Sequence, residues 1–406
     1  MRTAIVGAGL GGVAVAVGLH RAGHGVTLIE QAPDLREAGT GVVVMPNGVQ
    51  ALDRLGLAAR LAGRSVLAHQ AGLRDWRGRP LLVTDAARAQ EWVGAVHVLH
   101  RAELHRLLRA PLPAEVVRAG TPVERLDVEA GGVSVISGGR VVVRADVVVV
   151  ADGVGSRLRA QLFPDYPGPR RTGRLDLRGV VQVEHLRSLV AGGLGGGADV
   201  AGLLGGILVD RRSGAMFGLF PLGEGRLYWF TDSALPDVVP SPDQARDLVA
   251  GLMADWHPAV PALIAATDPA DVHVDPIACL AEPLPPFAVG RIALLGDAAH
   301  AMPPDLGQGA SQAFEDAAAL TRHLMGADAG VAGIERRLLA YDAERRPRAQ
   351  RLLRAALRQS RLTTRTGAAA WVRDGLLRAV PSRLATRRLA ALWQATPPPN
   401  RGEAEW

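Results

Sequence analysis

Three groups of glycine and acid stand at the ends of apolar runs. Gly7-Ala8-Gly9-Leu10-Gly11-Gly12 supplies glycine at the first, third and sixth places of G-x-G-x-x-G. Glu30 follows roughly 20 residues later, at the end of a second apolar run. Asp152-Gly153 and Gly296-Asp297 close two more such runs. The chemistry these residues suit is the holding of a phosphorylated, ribose-bearing ligand. Gly7 permits a tight turn, Gly9 lets the backbone approach a pyrophosphate, and Gly12 lets a helix pack close to a sheet. A helix starting there points free N–H groups and positive partial charge at phosphate. Glu30 can accept hydrogen bonds from both ribose hydroxyls. This fingerprint fits FAD and NAD equally. Asp152, taken alone, reads rather as the N-cap of the next helix.

The elements that position these residues are legible around them. Arg2 to Val6 and Gly25 to Ile29 read as strands, and Val13 to Arg21 between them as an Ala-rich helix. Ala145 to Ala151 is nearly all valine, the composition of a parallel strand buried on both faces. Arg291 to Leu295 is a further buried strand, and Ala310 to Leu320 a helix. Residues 172–271 change character and alternate as strands between glycine and proline turns. Met216 to Phe220 and Arg226 to Phe230 flank the turn Gly223-Glu224-Gly225 as a hairpin. Ser241 to Met253 reads as a helix capped by Ser241. Residues 333–393 are rich in Arg and Leu at helical spacing, and their Arg side chains read as a solvated face. The fold class expected is therefore α/β, a Rossmann-like domain interrupted by an antiparallel-sheet domain, with C-terminal helices. The expected division gives residues 1–72, 97–171 and 271–345 to the nucleotide domain. It gives 73–96 and 172–270 to a substrate domain, and 346–406 to the helical region.

Composition narrows the class. At 406 residues the chain needs two or three cores. All 46 basic residues are Arg, spread among 40 acids, which argues against a nucleic-acid patch. The single cysteine, Cys279, excludes an internal disulfide and a Cys-cluster metal site. No His spacing suggests a metal, and no Ser-His-Asp order or carboxylate pair stands out. The first apolar run is consumed by a strand, so no signal peptide is expected. Ala191 to Val209 is too Gly-rich for a membrane span and reads as a loop leading into a strand. A cytoplasmic protein, monomer or homodimer, without a membrane span, is expected.

The three motifs in order, GAGLGG…E from Gly7, DGVGSRLR from Asp152 and GDAAHAMPPDLGQGASQAFEDAAAL from Gly296, resemble the para-hydroxybenzoate hydroxylase-like FAD-dependent aromatic hydroxylases. The salicylate hydroxylase and zeaxanthin epoxidase branch looks most similar. Gly39-Thr40-Gly41-Val42, Pro46-Asn47 and Leu99 to Leu104 resemble further stations of that family, and the likeness spans about residues 1 to 350. Asp305 and Ser311 depart from it, since the branch usually carries Asn at both places. The resemblance implies non-covalent FAD as cofactor and NADPH or NADH as a transient donor. It places Gly7, Gly9 and Gly12 at the pyrophosphate, Glu30 at the adenosine ribose, and Arg101 at the phosphate or ribityl region, with Gly41 near the flavin. Asp152 would bridge to the pyrophosphate and Asp297 would hold a ribityl hydroxyl. The loop Pro303 to Gly309, with Pro304 and Gly307, would lie with Ala310 against the isoalloxazine, and Ser311 would alter contacts to that ring.

The activity implied is monooxygenation through a flavin hydroperoxide, with dioxygen as co-substrate. The substrate expected is an apolar, ring-containing or polyene-type small molecule. Met216, Phe217, Phe220, Tyr228 and Phe230 are the expected pocket, because their hairpin carries little charge. His300 is assigned packing beneath the flavin loop, and no catalytic base is named. An FAD reductase or dehydrogenase without oxygen insertion, or a non-catalytic binder, are the other readings.

Overall fold

The computed structural model describes residues 1–35, 39–63, 66–68, 72–185, 200–234, 239–326 and 330–394. Residues 191–199 of the Gly-rich stretch from Ala191 lie outside the described residues. Its end is the strand Ile207–Val209.

The valine strand sits at the centre of a six-stranded sheet. In spatial order the strands are Ala288–Val289, Ile292–Leu294, Val147–Val150, Arg2–Val6, Gly25–Ile29 and Val117–Arg118. All neighbours run parallel except the edge pair Ala288–Val289 and Ile292–Leu294. Val147 to Val150 are fully buried, which is what a valine run covered on both faces requires. The helices Leu10–Arg21 and Gly309–Leu324 pack together over the sheet, and one apolar core joins them. A meander of Arg125–Glu129, Gly132–Ser137 and Arg140–Ala145 follows.

A second sheet has seven strands: Val272–Leu280, Pro169–Gln182, Arg226–Ala234, Met216–Gly223, Ile207–Val209, Gly72–Asp75 and Pro80–Val83. It is antiparallel apart from the pairing of Ile207–Val209 with Gly72–Asp75. Two expected boundaries shift here. Pro169–Gln182 begins before residue 172. Val272–Leu280, read with the nucleotide domain, instead hydrogen-bonds along Pro169–Gln182. That pairing is long-range, so no local pattern announces it.

Period-two alternation sends odd residues of the central strands to one face. Leu175, Leu177, Phe217, Leu219, Leu227 and Trp229 there form a core with the helices Pro242–Leu252 and Ala259–Ala266. Even residues face the other way, toward the six-stranded half. The C-terminal part is three helices, Val331–Thr363, Gly367–Arg378 and Ser382–Trp393. Their Arg residues are not all solvated: Arg345 and Arg373 are buried. Among the described residues, no helix is long and apolar enough to cross a membrane.

Candidate active site

The first glycine turn is built for close approach. Gly7 has φ +103°, and a Cβ there would lie 2.3 Å from the Ala151 carbonyl oxygen. A Cβ on Gly12 would lie 1.9 Å from the Gly7 oxygen, so the helix can start there only with glycine. Above Gly9 the space is open, with nothing within 4 Å of an ideal Cβ. The Glu30 carboxylate spans this turn and its own strand end. It accepts from Ala8 N at 2.8 Å and Ala32 N at 3.0 Å. Buried His105, absent from the expected residues, donates from Nε2 to the Ala8 carbonyl at 2.7 Å.

The second motif closes on the third. Ser156, rather than Asp152, is the N-cap of Arg157–Leu162, accepting from Arg159 N at 2.9 Å. One Asp152 oxygen is buried without a partner, and burial raises the carboxyl's pKa. Arg159 is buried, donating to the Val154 carbonyl at 2.7 Å and the Ala298 carbonyl at 3.0 Å. It pins the two loops together, a role its place in an Arg-rich chain did not reveal.

Asp297 is exposed on the cavity wall. His300, three residues on, is buried and does not reach that wall. Its Nε2 meets Asp316 Oδ2 at 2.6 Å, and its ring packs on Phe287. Asp316 also accepts from Gly296 N at 2.9 Å and Arg345 Nε at 2.7 Å. Burial pushes the Asp316 carboxyl up, but His300 and Arg345 outweigh it and hold its pKa at about 2. Arg345 and Arg348 both engage Glu315, which accepts from Asn47 Nδ2 at 2.6 Å. Asn47 also donates to Gln308 at 2.9 Å. This network fixes the loop Pro303 to Gly309 from behind. In front of it Pro304, Gly307, Gly309 and Ala310 line the cavity at the N-terminus of Gly309–Leu324. Ser311 is a correction. It is fully buried, accepts from Met45 N at 3.0 Å and packs on Gly48, off the cavity wall.

One continuous cavity of ≈ 780 Å³ runs from Gly9 and Asp297 to the even face of the second sheet. Met216, Phe220, Tyr228 and Phe230 line it, and the last three rings pack 6.1–6.4 Å apart. Gly41 and Arg101 line it too. A Cβ on Gly41 would fall 2.2 Å from the Tyr228 ring, so that glycine lets the ring close in. Phe217 is a second correction. Strand parity turns it to the opposite face, fully buried against Trp229 at 5.9 Å.

The wall is also less apolar than the hairpin alone implied. Asp176 and Arg178, from Pro169–Gln182, line the cavity, and Arg178 Nε holds Asp176 Oδ2 at 2.7 Å. The other oxygen, Oδ1, is buried with no partner, on a residue only 3% exposed. Burial raises the Asp176 pKa. Asp232 lies directly across the strand pair and is bound by Arg174. Burial, helped by Asp305 and Asp176 and opposed by Arg174, pushes Asp232 up to about 7. Asp305 lines the cavity, accepts from Thr363 Oγ1 at 3.0 Å, and leaves its second oxygen unpaired. Among the described residues, no cluster of His, Cys, Asp or Glu is placed to hold a metal ion.

A glycine turn on a parallel sheet, a carboxylate at a strand end and a helix N-terminus on one wall make a dinucleotide cradle. The sequence profile of a family described as FAD binding domain matches residues 1–356. The chain belongs to that family. Over 97% of its length it is 31% identical to the aurachin C monooxygenase/isomerase of Stigmatella aurantiaca, covering 98% of that protein. It is 32% identical, over 87% of its length, to a 3-amino-4-hydroxybenzoate 2-monooxygenase of Streptomyces platensis, covering 86% of it. The structure of HpxO from Klebsiella pneumoniae with FAD and uric acid superposes with a TM-score of 0.84 at 27% identity. It covers 97% of this chain and 96% of that one. This family member is an FAD-dependent monooxygenase, and its relatives are named for hydroxylating aromatic rings. NAD(P)H is the electron donor typical of such enzymes.

Its cradle fits FAD on its own geometry. Space is open over Gly9, the Asp297 carboxylate is exposed on the wall, and the N-terminal turn of Gly309–Leu324 faces the cavity.

Proposed function

We propose that this monooxygenase hydroxylates an electron-rich aromatic ring that carries a hydrogen-bond donor and a larger apolar portion. Bound FAD supplies electron transfer from NAD(P)H and the activation of dioxygen. The protein's part is to bind, orient and keep water out. In this reading Gly7, Gly9 and Gly12 open the backbone to the pyrophosphate, with Asp152 beside it. Glu30 takes the adenosine ribose, Arg101 the phosphate or ribityl region, and Asp297 a ribityl hydroxyl. Gly41, Pro304, Gly307, Gly309 and Ala310 border the ring system, where N–H groups at the helix start favour negative charge on the flavin pyrimidine. The six-stranded sheet thus serves the cofactor and the seven-stranded sheet the substrate. The one cysteine, buried and free, suits the reducing cytoplasm.

One observation carries the substrate reading: Asp176 lines the cavity and its buried Oδ1 has no partner. A buried carboxylate oxygen without a partner is costly, and a donor on the ligand relieves that cost. A phenol hydroxyl, an aryl amine or a ring N–H meets this need. A carboxylate has no donor to offer it, and Arg178 is already engaged. The aromatic side chains around it accept the apolar remainder, and they exclude water from the reacting ring. Asp176→Asn tests this. It should keep FAD and raise KM for a hydroxyl- or amino-substituted arene by about tenfold, the worth of a charge-assisted hydrogen bond. An unchanged KM with unchanged coupling of NAD(P)H oxidation to product would contradict it.

A further inference from the structure

The helix Gly367–Arg378 is folded inside out. Its inward face carries an ion pair: Arg373 Nη2 meets Asp374 Oδ1 at 2.7 Å, and both residues are buried. Arg373 also donates to the Leu362 and Thr363 carbonyls at 2.9 and 2.8 Å, capping the C-terminal end of the long helix. Its outward face carries the apolar residues. Trp371 is 65% exposed, Val372 55% and Leu376 66%. With exposed Gly375 and Ala379 they fall at helical spacing along one stripe. A soluble helix places these residues the other way round. Leu384 on the following helix is exposed as well.

Charge concentrates on the same segment. Residues 351–393 hold ten Arg and one acid, the buried Asp374. The segment's formal charge exceeds the +6 of the whole chain, so the remainder is net negative. Nine of those Arg, including Arg383 and Arg387, are exposed. From their other sides, the same two helices give Leu377, Leu389 and Trp393 to the cavity wall, with Val380 between them. An exposed apolar stripe on an Arg-rich segment therefore lies on the elements that close the substrate cavity.

We infer that this face docks the enzyme on an anionic bilayer surface, with Trp371, Val372 and Leu376 in the interface and the Arg side chains at the headgroups. The chemistry selects that partner. A bilayer offers anionic groups and an apolar phase together, which is what a basic helix with an aromatic and aliphatic stripe matches. A second copy of this chain would bring two dense Arg fields face to face. A nucleic acid would match the charge and leave the stripe in water.

The test is sedimentation of the purified FAD-loaded chain with vesicles. Equimolar phosphatidylcholine and phosphatidylglycerol should carry it down and pure phosphatidylcholine should not, with binding weakened by salt. Trp371→Glu with Leu376→Glu should abolish binding at an unchanged melting temperature, since both side chains are exposed. Arg383→Glu with Arg387→Glu should weaken it by about tenfold or more. The inference is overturned if wild type ignores the anionic vesicles, or if both variants bind them as wild type does. It is equally overturned if the chain is a dimer that Trp371→Glu splits, because the face then belongs to a second copy.

Discussion

Two walls face each other across the cavity. On one, Gly9, Gly12, Gly307, Gly309 and Ala310 offer backbone, with Asp297 as the exposed side chain among them. On the other, Met216, Phe220, Tyr228, Phe230 and the Asp176–Arg178 pair offer side chains. What stands behind each wall differs as well. Behind the backbone wall is an ionic lattice of His300, Asp316, Arg345, Glu315 and Arg348. Behind the side-chain wall is an apolar core of Phe217, Leu219 and Trp229. A cofactor that stays the same across a family is met by backbone, which substitution hardly alters. A substrate is met by side chains, which can change without disturbing the core on the other face. The ionic lattice holds a loop at a fixed distance and angle, a task for directional bonds.

The largest effect should come from breaking the lattice. Asp316→Ala leaves Arg345 buried with one partner fewer, and removing one partner of a buried pair costs about 3–5 kcal/mol. Thermal denaturation should show it, and a change inside error would mean that the lattice supports nothing. The lattice also has an acid signature. The folded Asp316 pKa is about 2, below the ordinary carboxylate value of about 3.9. Its contribution is therefore complete above about pH 4 and is lost as pH falls toward 2.

Behind the other wall, Phe217→Ala should cost about 3–5 kcal/mol through the cavity it leaves, with KM close to wild type. Phe220→Ala, one residue parity away, should do the reverse. It should raise KM and waste NAD(P)H without product, at little cost in stability. If the two variants behave alike, the two-faced reading of the sheet fails.

On the backbone wall, Asp297→Ala should weaken FAD by about tenfold to a hundredfold, the worth of one charge-assisted hydrogen bond. His300→Ala should spare FAD contacts and lower stability. Acid release of flavin, followed by titration, reads both variants. Full flavin retention in Asp297→Ala alongside lost turnover in His300→Ala would reverse the two roles.

A separate effect is a pH slope. The folded pKa of Asp232, about 7, lies above the ordinary carboxylate value. The folded chain then holds a proton that the unfolded chain releases, so this group's share of stability falls as pH rises from about 4 to about 7. Asp232→Asn should flatten the stability profile across that window. A wild-type slope in the variant would assign the titration elsewhere.

How much could be read in advance follows the same division. The backbone wall was legible because its parts are contiguous. Six residues from Gly7, an acid after a valine run and a glycine before Asp297 each declare their own turn. The side-chain wall was half legible. Its hairpin is visible in the sequence, yet its low charge alone groups Phe217 with Phe220, although period-two alternation separates them. Asp176 and Arg178 carry no local signal, because only the register of Pro169–Gln182 against Arg226–Ala234 brings them beside Asp232 and Phe230. Arg345 and Arg373 read as solvated charge in an Arg-rich segment. Their burial depends on partners that lie far along the chain or on carbonyls at another helix's end, and no local spacing encodes those.

The central claim is oxygen insertion into an aromatic ring, and labelled dioxygen tests it most directly. Purified enzyme with FAD, NAD(P)H and a panel of amino- and hydroxy-substituted arenes is run under isotopically labelled dioxygen, and the product is weighed. The account predicts substrate-stimulated NAD(P)H oxidation and a product carrying one labelled oxygen atom for each NAD(P)H consumed in coupled turnover. Turnover that proceeds equally without dioxygen, giving unlabelled product, would contradict it.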